Sequence, residues 1–184
     1  GKERPHFKNA SEAIKAGVFY SSEDRKSLGL IIDSDIAYNA SLSSLDKFTG
    51  GGLFINRDDE YTKVKEMVAK LRVKTPSILQ KVKNLSGGNQ QKCIVARWIA
   101  TNPKVLILDE PTKGIDVGAK SEFYNMICEF AKQGLGVILI SSELPEVIGL
   151  SDRIIVMRSL RASGEVSREE ATEDKLLSLG MMGD

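Results

Sequence analysis

Two segments carry the strongest structural signal in this chain: residues 85–92, Leu-Ser-Gly-Gly-Asn-Gln-Gln-Lys, and residues 105–112, Val-Leu-Ile-Leu-Asp-Glu-Pro-Thr. The first joins a helix-capping serine to two glycines, which predicts a helix that begins against an anion such as phosphate. The second is an apolar run that ends in two acids, which predicts a buried strand of a central parallel sheet, covered on both faces. Ligands of such sheets bind at the carboxyl ends of the strands, so the acids are expected at a ligand-binding edge.

The two acids that end the predicted strand suit phosphate chemistry. Asp109 can hold Mg²⁺ through the ion's water shell, since Mg²⁺ keeps several waters and takes few protein carboxylates. Glu110 can orient or deprotonate a water that attacks a γ-phosphate. A solvated acidic turn would explain the same pair by itself, but the phosphate-facing helix start upstream favours the chemical interpretation.

The predicted helix start at Ser86 has the features of an anion site. Ser86 is a good N-cap, and Gly87 and Gly88 let a phosphate approach the backbone closely. The positive end of the helix dipole adds to the attraction. An ordinary capping turn is the simpler alternative, and the length of the 85–92 run argues against it. Further along, Gly114-Ile115-Asp116 predicts a turn followed by an Asp-capped helix.

Composition excludes several classes of protein. With 184 residues, 41% of them hydrophobic and 28% charged, the chain has the size and composition of one soluble globular domain. A net charge of +1 gives no reason to expect a nucleic-acid partner. Cys93 and Cys128 are expected to be buried, reduced thiols, and the single histidine, His6, argues against a zinc site. Because no apolar run approaches the ~18 residues of a membrane span, any membrane role must go through a partner.

Local patterns predict an alternation of helices and strands. Helices are predicted over residues 11–17, 31–45, 58–71, 87–101, 120–133, 144–149 and 167–179, the first and last with serine caps, and strands over 18–21, 105–108, 137–140 and 154–157. Val166 is expected to end a short hairpin, Thr49–Gly52 to be a flexible break and Glu23–Lys26 a charged loop. The alternation in the later half predicts a parallel α/β sheet.

These segments resemble the signature and Walker B motifs of an ABC transporter ATPase. Together with residues 18–26, 114–120 and 141–157, they are similar to the second, C-terminal ATPase half of bacterial monosaccharide importers of the ribose/galactose/xylose type. The resemblance extends over residues 8–183. It implies an α/β fold: a partial P-loop NTPase core with a parallel sheet, plus an inserted helical subdomain. Residues 1–184 would then be one incomplete ABC ATPase domain, with residues 1–26 and 85–184 in the core and 27–84 mainly helical.

The resemblance also implies cofactors, partners and a location. ATP and Mg²⁺ would bind between two ATPase halves, with Asp109 on the metal, Glu110 as the catalytic residue, and Ser86, Gly87, Gly88 and Asn89 completing the site of the other half. The partners would be the N-terminal ATPase half of the same polypeptide, two membrane permease subunits and, indirectly, a periplasmic sugar-binding protein. The chain would be cytoplasmic and peripheral on the inner membrane, and would power sugar import.

The sequence departs from the general ABC pattern in three places. Ser142 stands where the switch histidine is expected, and Glu23 replaces the glutamine of the Q-loop. A carboxylate at residue 23 repels phosphate unless Mg²⁺ or a base such as Arg25 compensates. The phosphate loop (Walker A) is absent from these residues, since Gly1-Lys2 is followed by Glu3 and preceded by no glycines. The chain's own site is therefore expected to be impaired, and its main contribution to be the donated signature. By the same resemblance, Gly114-Ile115-Asp116 would be the loop that crosses to the opposite ATPase half, with Asp116 binding nucleotide there.

Two alternatives stay open at this point. The chain could be a catalytically inactive structural fragment, since a piece without a phosphate loop is expected to bind nucleotide weakly even if its parent is an ATPase. It could also belong to an ABC ATPase of a non-transport class, acting on chromosomes or ribosomes. The long heptad insertion or strongly basic linker that would support the second alternative is not present.

Overall fold

A computed structural model describes residues 6–49 and 54–181, which fall into two compact units, residues 1–138 and 139–184. Gly1-Lys2 and the glycines of the predicted break at Thr49–Gly52 lie outside the described residues. The helices are α1 (Ala10–Lys15), α2 (Ile36–Ser41), α3 (Arg57–Lys70), α4 (Gly87–Ile99), α5 (Val117–Lys132), α6 (Leu144–Leu150) and α7 (Glu173–Met181). The strands are β1 (Val18–Ser21), β2 (Val105–Asp109), β3 (Gly136–Ile140), β4 (Arg153–Arg158) and β5 (Arg161–Ser167).

The central sheet has the strand order β1-β2-β3, and β1 pairs with β2 in parallel. Phe19, Leu106 and Leu108 share its buried face, as the alternation of side chains along a strand requires. On the other face Tyr20 is 50% exposed and Ile138 is 51% exposed. The expectation that both faces are covered is therefore wrong for the described residues, because these two strand side chains are half exposed.

Helix α4 connects the sheet to the helices of residues 27–84. Its Trp98 ring lies 5.2 Å from that of Phe19 on β1. Arg97, buried on the same helix, donates from Nε to the Asn39 backbone oxygen and from Nη2 to Asn39 Oδ1, both at 2.8 Å. These bonds anchor α2 against α4, and burial of the guanidinium lowers the pKa of Arg97.

The described part of residues 27–84 contains α2 and α3, a π-helical turn at Arg25–Gly29 that begins just before it, and a 3₁₀ segment at Leu42–Phe48, with non-helical residues at 30–35 and 71–81. A buried Glu60 on α3 accepts from the Ser41 hydroxyl at 2.6 Å and from Arg57 at 2.7 Å. Since a buried carboxylate is costly without partners, these bonds specify how α2 and α3 pack. The boundary of an inserted subdomain at residues 27–84 stays a prediction.

The second unit is built on an antiparallel hairpin of β4 and β5. Ile154, Val166 and Leu176 form its buried cluster, with Leu144 and Leu179 packed against them. The predicted strand at 154–157 is present, but it pairs with β5, in a sheet separate from that of β1 and β2. The predicted short hairpin is therefore longer than expected and consists of two full strands. The sequence pattern of a strand does not specify which strand it pairs with.

Several predicted helix boundaries were wrong, each for a local reason. Helix α1 is capped by Asn9, whose side chain accepts from the Glu12 N–H, and not by Ser11. Residues 31–45 do not form one helix, because Asp35 caps a helix that begins at Ile36. Ser167 begins only a 3₁₀ turn, so the last helix starts later, at Glu173.

Candidate functional site

Asp109 ends β2 on the open face of the sheet, next to a tyrosine. The Tyr20 hydroxyl donates to Asp109 Oδ2 at 2.6 Å, across the β1–β2 pair. This hydrogen bond to the carboxylate raises the pKa of Tyr20. The bond fixes the direction of the carboxylate. Mg²⁺ commonly takes one protein carboxylate plus waters and substrate phosphates, so a lone oriented Asp109 fits such an ion. Within residues 6–49 and 54–181, no group of three or more His, Cys, Asp or Glu side chains could hold a metal.

Glu110 has an unusual backbone at the point where β2 ends. Its φ angle is +44°, a left-handed conformation that non-glycine residues adopt rarely. Such conformations cost free energy and concentrate at functional sites, where the surrounding structure imposes them. The side chain is half-buried. The conformation turns the chain sharply between the strand and Pro111.

Glu23 is compensated by a base other than the one expected. Lys113, in the loop after β2, forms an ion pair with the Glu23 carboxylate, and this hydrogen bond raises the pKa of Lys113. Arg25 instead donates to the Lys113 carbonyl oxygen at 3.0 Å. The sequence suggested Mg²⁺ or a nearby base such as Arg25 as the compensating group, and the base that pairs with Glu23 is Lys113. Because the pair is largely exposed, it contributes little to the stability of the fold. It links the loop after β1 to the loop after β2.

The start of α4 is tied together by side chains of the signature segment. Ser86 occupies the N-cap position, but its side chain makes no capping hydrogen bond. Its Oγ instead accepts from Asn89 Nδ2 at 2.9 Å. Asn89 Oδ1 in turn accepts from the Lys74 backbone N–H at 2.8 Å. The prediction that Ser86 caps the helix is therefore corrected. Its hydroxyl bonds to the Asn89 side chain and not to a backbone N–H of the helix.

Both signature glycines are also packing positions. A Cβ on Gly88 would lie 2.7 Å from the Cβ of Ala119 on α5, closer than real Cβ contacts. A Cβ on Gly87 would lie 3.2 Å from the Gly114 carbonyl oxygen and 3.3 Å from Arg25 Nη2. The glycines therefore allow α4 to meet α5 and the loop after β2, in addition to the predicted approach of a phosphate.

A polar cleft of about 230 Å³ opens beside the start of α4. It is lined by Lys74, Ser86, Gly88, Asn89, Lys92, Asp116, Gly118, Ala119 and Glu122. Glu122 accepts from the buried Lys92 ammonium at 2.7 Å and from Lys74 at 3.3 Å. These hydrogen bonds, that of Lys92 foremost, lower the pKa of Glu122. The cleft thus brings two cations and one of the signature glycines together.

The structure groups most of the predicted site residues, but not all. Asp116 caps α5 by accepting from the Ala119 N–H at 2.9 Å, as predicted, and it lines the cleft with the signature residues. Asp109 and Glu23 are instead at the carboxyl edge of the sheet, where Lys113 and Arg25 connect their loop to Gly87 and Gly114. Ser142 is exposed after β3 and belongs to the second unit.

Sequence reasoning did not identify five polar residues of these sites: Tyr20, Lys74, Lys92, Lys113 and Glu122. Their partners are 15–90 residues away along the chain, so no local pattern could reveal them. Of the five, only Lys92 belongs to a motif recognised in the sequence, as the last residue of the signature segment, but its partner Glu122 was not indicated.

Solved structures establish the class of fold. A nucleotide-free ATP-binding cassette from an ABC transporter superposes with a TM-score of 0.76 at 18% identity, over 96% of this chain and 73% of that one. The ADP conformation of an ATP-binding cassette of an ABC transporter superposes with a TM-score of 0.73 at 20% identity, over 94% and 71%. At these identities the likeness shows the fold, which is that of an ATP-binding cassette.

Sequence comparison gives the family. The family described as ABC transporter matches residues 6–113, so the chain belongs to the ABC transporter family. It is 50% identical over 184 residues to a ribose import ATP-binding protein of Caldanaerobacter subterraneus, covering 100% of this chain and 37% of that protein. It is 48% identical over 177 residues to a xylose import ATP-binding protein of Geobacillus kaustophilus, covering 96% and 35%. The chain thus spans about a third of the length of the curated relatives it matches.

In the part of the chain that the structure describes, none of the helices has both the length and the apolar character needed to cross a bilayer.

Proposed function

We propose that this chain is the signature-bearing part of an ATPase that powers monosaccharide import into bacteria. One observation carries the proposal: the segment Leu85–Lys92 begins α4 beside a polar cleft, with Ser86 exposed and Asn89 held by its neighbours. The names of the relatives, import ATP-binding proteins for ribose and xylose, support the transport class over chromosome- or ribosome-acting ATPases.

In this proposal the start of α4 faces ATP bound on another ATPase half. Ser86 and the N–H groups of Gly87 and Gly88 would contact the terminal phosphate, with the helix dipole favouring the anion. Asp116 would line the same contact, and Asn89 would lie beside Ser86 at its edge. Such preorganised donors act on the charge that develops during phosphoryl transfer.

The chain's own carboxylates would form a second, weaker site. Asp109 would hold Mg²⁺ through water, and Glu110 would orient the attacking water. Glu23 is paired with Lys113, and Ser142 offers no imidazole, so hydrolysis there would be slow. The chain would therefore act mainly as a signature donor and as a scaffold for the paired halves.

The partners follow from the same proposal. They are an N-terminal ATPase half on the same polypeptide, two membrane permease subunits and, indirectly, a periplasmic sugar-binding protein. The chain would be peripheral on the cytoplasmic face of the inner membrane. The coverage of only about a third of each relative supports a longer parent polypeptide.

The test uses a tandem polypeptide, defined as this chain joined to the ATPase half that precedes it. Ser86→Arg places a bulky side chain where the phosphate would approach, and should abolish most ATP turnover and sugar uptake. Ser11→Arg, on the exposed surface of α1, is the matched control and should leave both rates near normal. Near-normal uptake by Ser86→Arg, with an unchanged circular dichroism spectrum, would exclude a role for this signature at an active site.

A separate measurement distinguishes an inactive structural fragment. Titration calorimetry of the 184-residue chain with Mg·ATP should show no saturable site in the micromolar range, since the residues lack a phosphate loop. The tandem polypeptide should bind. If neither binds, the structural alternative is correct.

A further inference from the structure

We propose that Asn89 is a positioning residue that fixes the direction of the Ser86 hydroxyl, so that this hydroxyl donates a hydrogen bond to the phosphate of ATP bound on the partner half. The inference rests on the proposed function, because it concerns the same signature contact. It assigns to Asn89 an action through Ser86, with no contact of its own to nucleotide.

The orientation of the Asn89 amide follows from an obligate donor. A backbone N–H can only donate, so the Lys74 N–H, 2.8 Å away, must face the Asn89 oxygen. The Asn89 nitrogen then necessarily faces Ser86 Oγ, at 2.9 Å. An amide flip would place two donors against each other at Lys74, so the hydrogen-bond network itself fixes the assignment.

The amide orientation determines what Ser86 can do. A serine hydroxyl has one hydrogen to donate and can also accept. Because Asn89 Nδ2 donates to Ser86 Oγ and cannot accept, the hydroxyl hydrogen must point elsewhere. Among the described residues no acceptor takes that hydrogen, and Ser86 is exposed at the cleft. The hydrogen is therefore available to an incoming phosphate oxygen, which is an acceptor.

The anchor of Asn89 is itself held from three directions. The Lys74 ammonium bonds Glu122 at 3.3 Å, and Glu122 also bonds the buried Lys92 at 2.7 Å. Lys92 donates further to the Arg72 carbonyl oxygen at 3.1 Å, just after the end of α3. The segment 72–74 is thus fixed against α4 and α5. Its fixed backbone presents the N–H that orients Asn89.

One substitution at Asn89 reverses the direction of its hydrogen bond with Ser86 and keeps its bond to the Lys74 N–H. Asn89→Asp keeps an oxygen for the Lys74 N–H, but it replaces the donor at Ser86 with an acceptor. The Ser86 hydroxyl would then donate to the carboxylate and lose its hydrogen for phosphate. Asn89→Ala removes both contacts and leaves the hydroxyl free to rotate, so its loss of turnover should fall between wild type and Asn89→Asp.

The test is a double-substitution cycle in the tandem polypeptide, measured as kcat and KM for ATP. Ser86→Ala and Asn89→Asp should each lower kcat by about 10- to 100-fold, the range for one hydrogen bond to a charged group. The double variant should be no slower than the slower single variant. Asn84→Asp adds the same charge at an exposed residue outside this network, and should stay within about twofold of wild type.

Hydrogen exchange in the 184-residue chain reports the anchor independently of activity. The Lys74 amide should stay protected in Asn89→Asp and lose protection in Asn89→Ala. Loss of protection in Asn89→Asp would show that the amide was held otherwise, and would overturn the inference.

The outcomes separate two failures. If the losses from Ser86→Ala and Asn89→Asp multiply, Asn89 acts by charge or by its own contact, and the inference is wrong while the proposed function stands. If Ser86→Ala leaves kcat unchanged, the hydroxyl serves no phosphate and the inference is wrong. The proposed function fails only if Ser86→Arg also leaves turnover near normal.

Discussion

At the scale of single residues, the signature glycines satisfy two demands at once. The sequence predicted only that Gly88 lets a phosphate approach. The structure adds the Ala119 methyl, which a Cβ would meet at 2.7 Å. Substitutions at this position therefore test packing before they test catalysis, and Ser86 is the cleaner probe of phosphate contact.

Gly88→Ala should destabilise the chain by about 1–3 kcal/mol, as expected for overpacking between two helices. Gly149→Ala is the matched control, because a Cβ there meets nothing within 4 Å in α6. It should be neutral or stabilising by up to about 1 kcal/mol, since alanine favours a helix over glycine. Urea unfolding measures both. Equal stability of Gly88→Ala and wild type would mean that α4 and α5 move apart freely.

Cys93 should make stability depend on pH in the alkaline range. Burial raises the pKa of its thiol from 9.0 to about 12, so the folded state keeps a proton that the unfolded state releases. The thiol's contribution is complete below pH 9.0 and is lost as the pH rises toward about 12. The stability difference between wild type and Cys93→Ala, from urea unfolding, should therefore shrink between these pH values. A constant difference would contradict burial of the thiol.

The half-buried Cys128 should react with a thiol reagent before Cys93 does.

At the scale of secondary-structure elements, prediction succeeded where the local signal was complete. Strand β1 was predicted at its observed bounds, and α5 begins behind Asp116 and ends before Gly134, whose φ angle is +88°. It failed where the answer depends on distant residues. Strand β4 pairs with β5 alone, a choice that apolar periodicity does not contain. Similarly, the pairing of Glu23 with Lys113 joins loops after two different strands.

Asn39 is the residue on which the packing of α2 against α4 depends. Its side chain accepts from the Ile31 N–H and from Arg97, and donates to the Ile31 and Asp35 carbonyl oxygens. Asn39→Ala should cost about 2–4 kcal/mol, because it leaves a buried guanidinium and three backbone groups without these bonds. Asn125→Ala, exposed on α5, should stay within about 0.5 kcal/mol. Urea unfolding compares the two. A loss at Asn39 as small as at Asn125 would mean that water replaces the network.

At the scale of the whole molecule, the described residues place their chemistry in two regions. The signature residues and Asp116 share the polar cleft, while Asp109 and Glu23 are at the carboxyl edge of the sheet. Arg25 lies between the two regions, bonded to Lys113 and close to Gly87. An ATPase that uses each region toward a different nucleotide needs such separation. The sequence indicated both regions, but not the side chains that connect them.

The departures at Glu23 and Ser142 predict unequal ATP sites in the tandem polypeptide. Glu110→Gln keeps the shape of the side chain but removes its charge and basicity. In a competent site, loss of such a group costs about 10²–10⁴ in rate. Here Ser142 replaces the expected histidine, and Glu23 is bound to Lys113, so little hydrolysis remains to lose. Glu110→Gln should therefore lower total turnover less than the same change at the matching carboxylate of the N-terminal half.

Restoring one missing group should not restore the site. Ser142→His supplies an imidazole, but residue 23 still carries a carboxylate, paired with Lys113, where an amide is expected, so the rate should rise by less than about twofold. Steady-state phosphate release from the three variants decides the matter, with Ser11→Arg as the neutral surface control. Equal losses from the two Glu→Gln changes would mean that both sites turn over. In that case the chain would be a full catalytic partner, and its carboxylates would matter as much as the signature it donates.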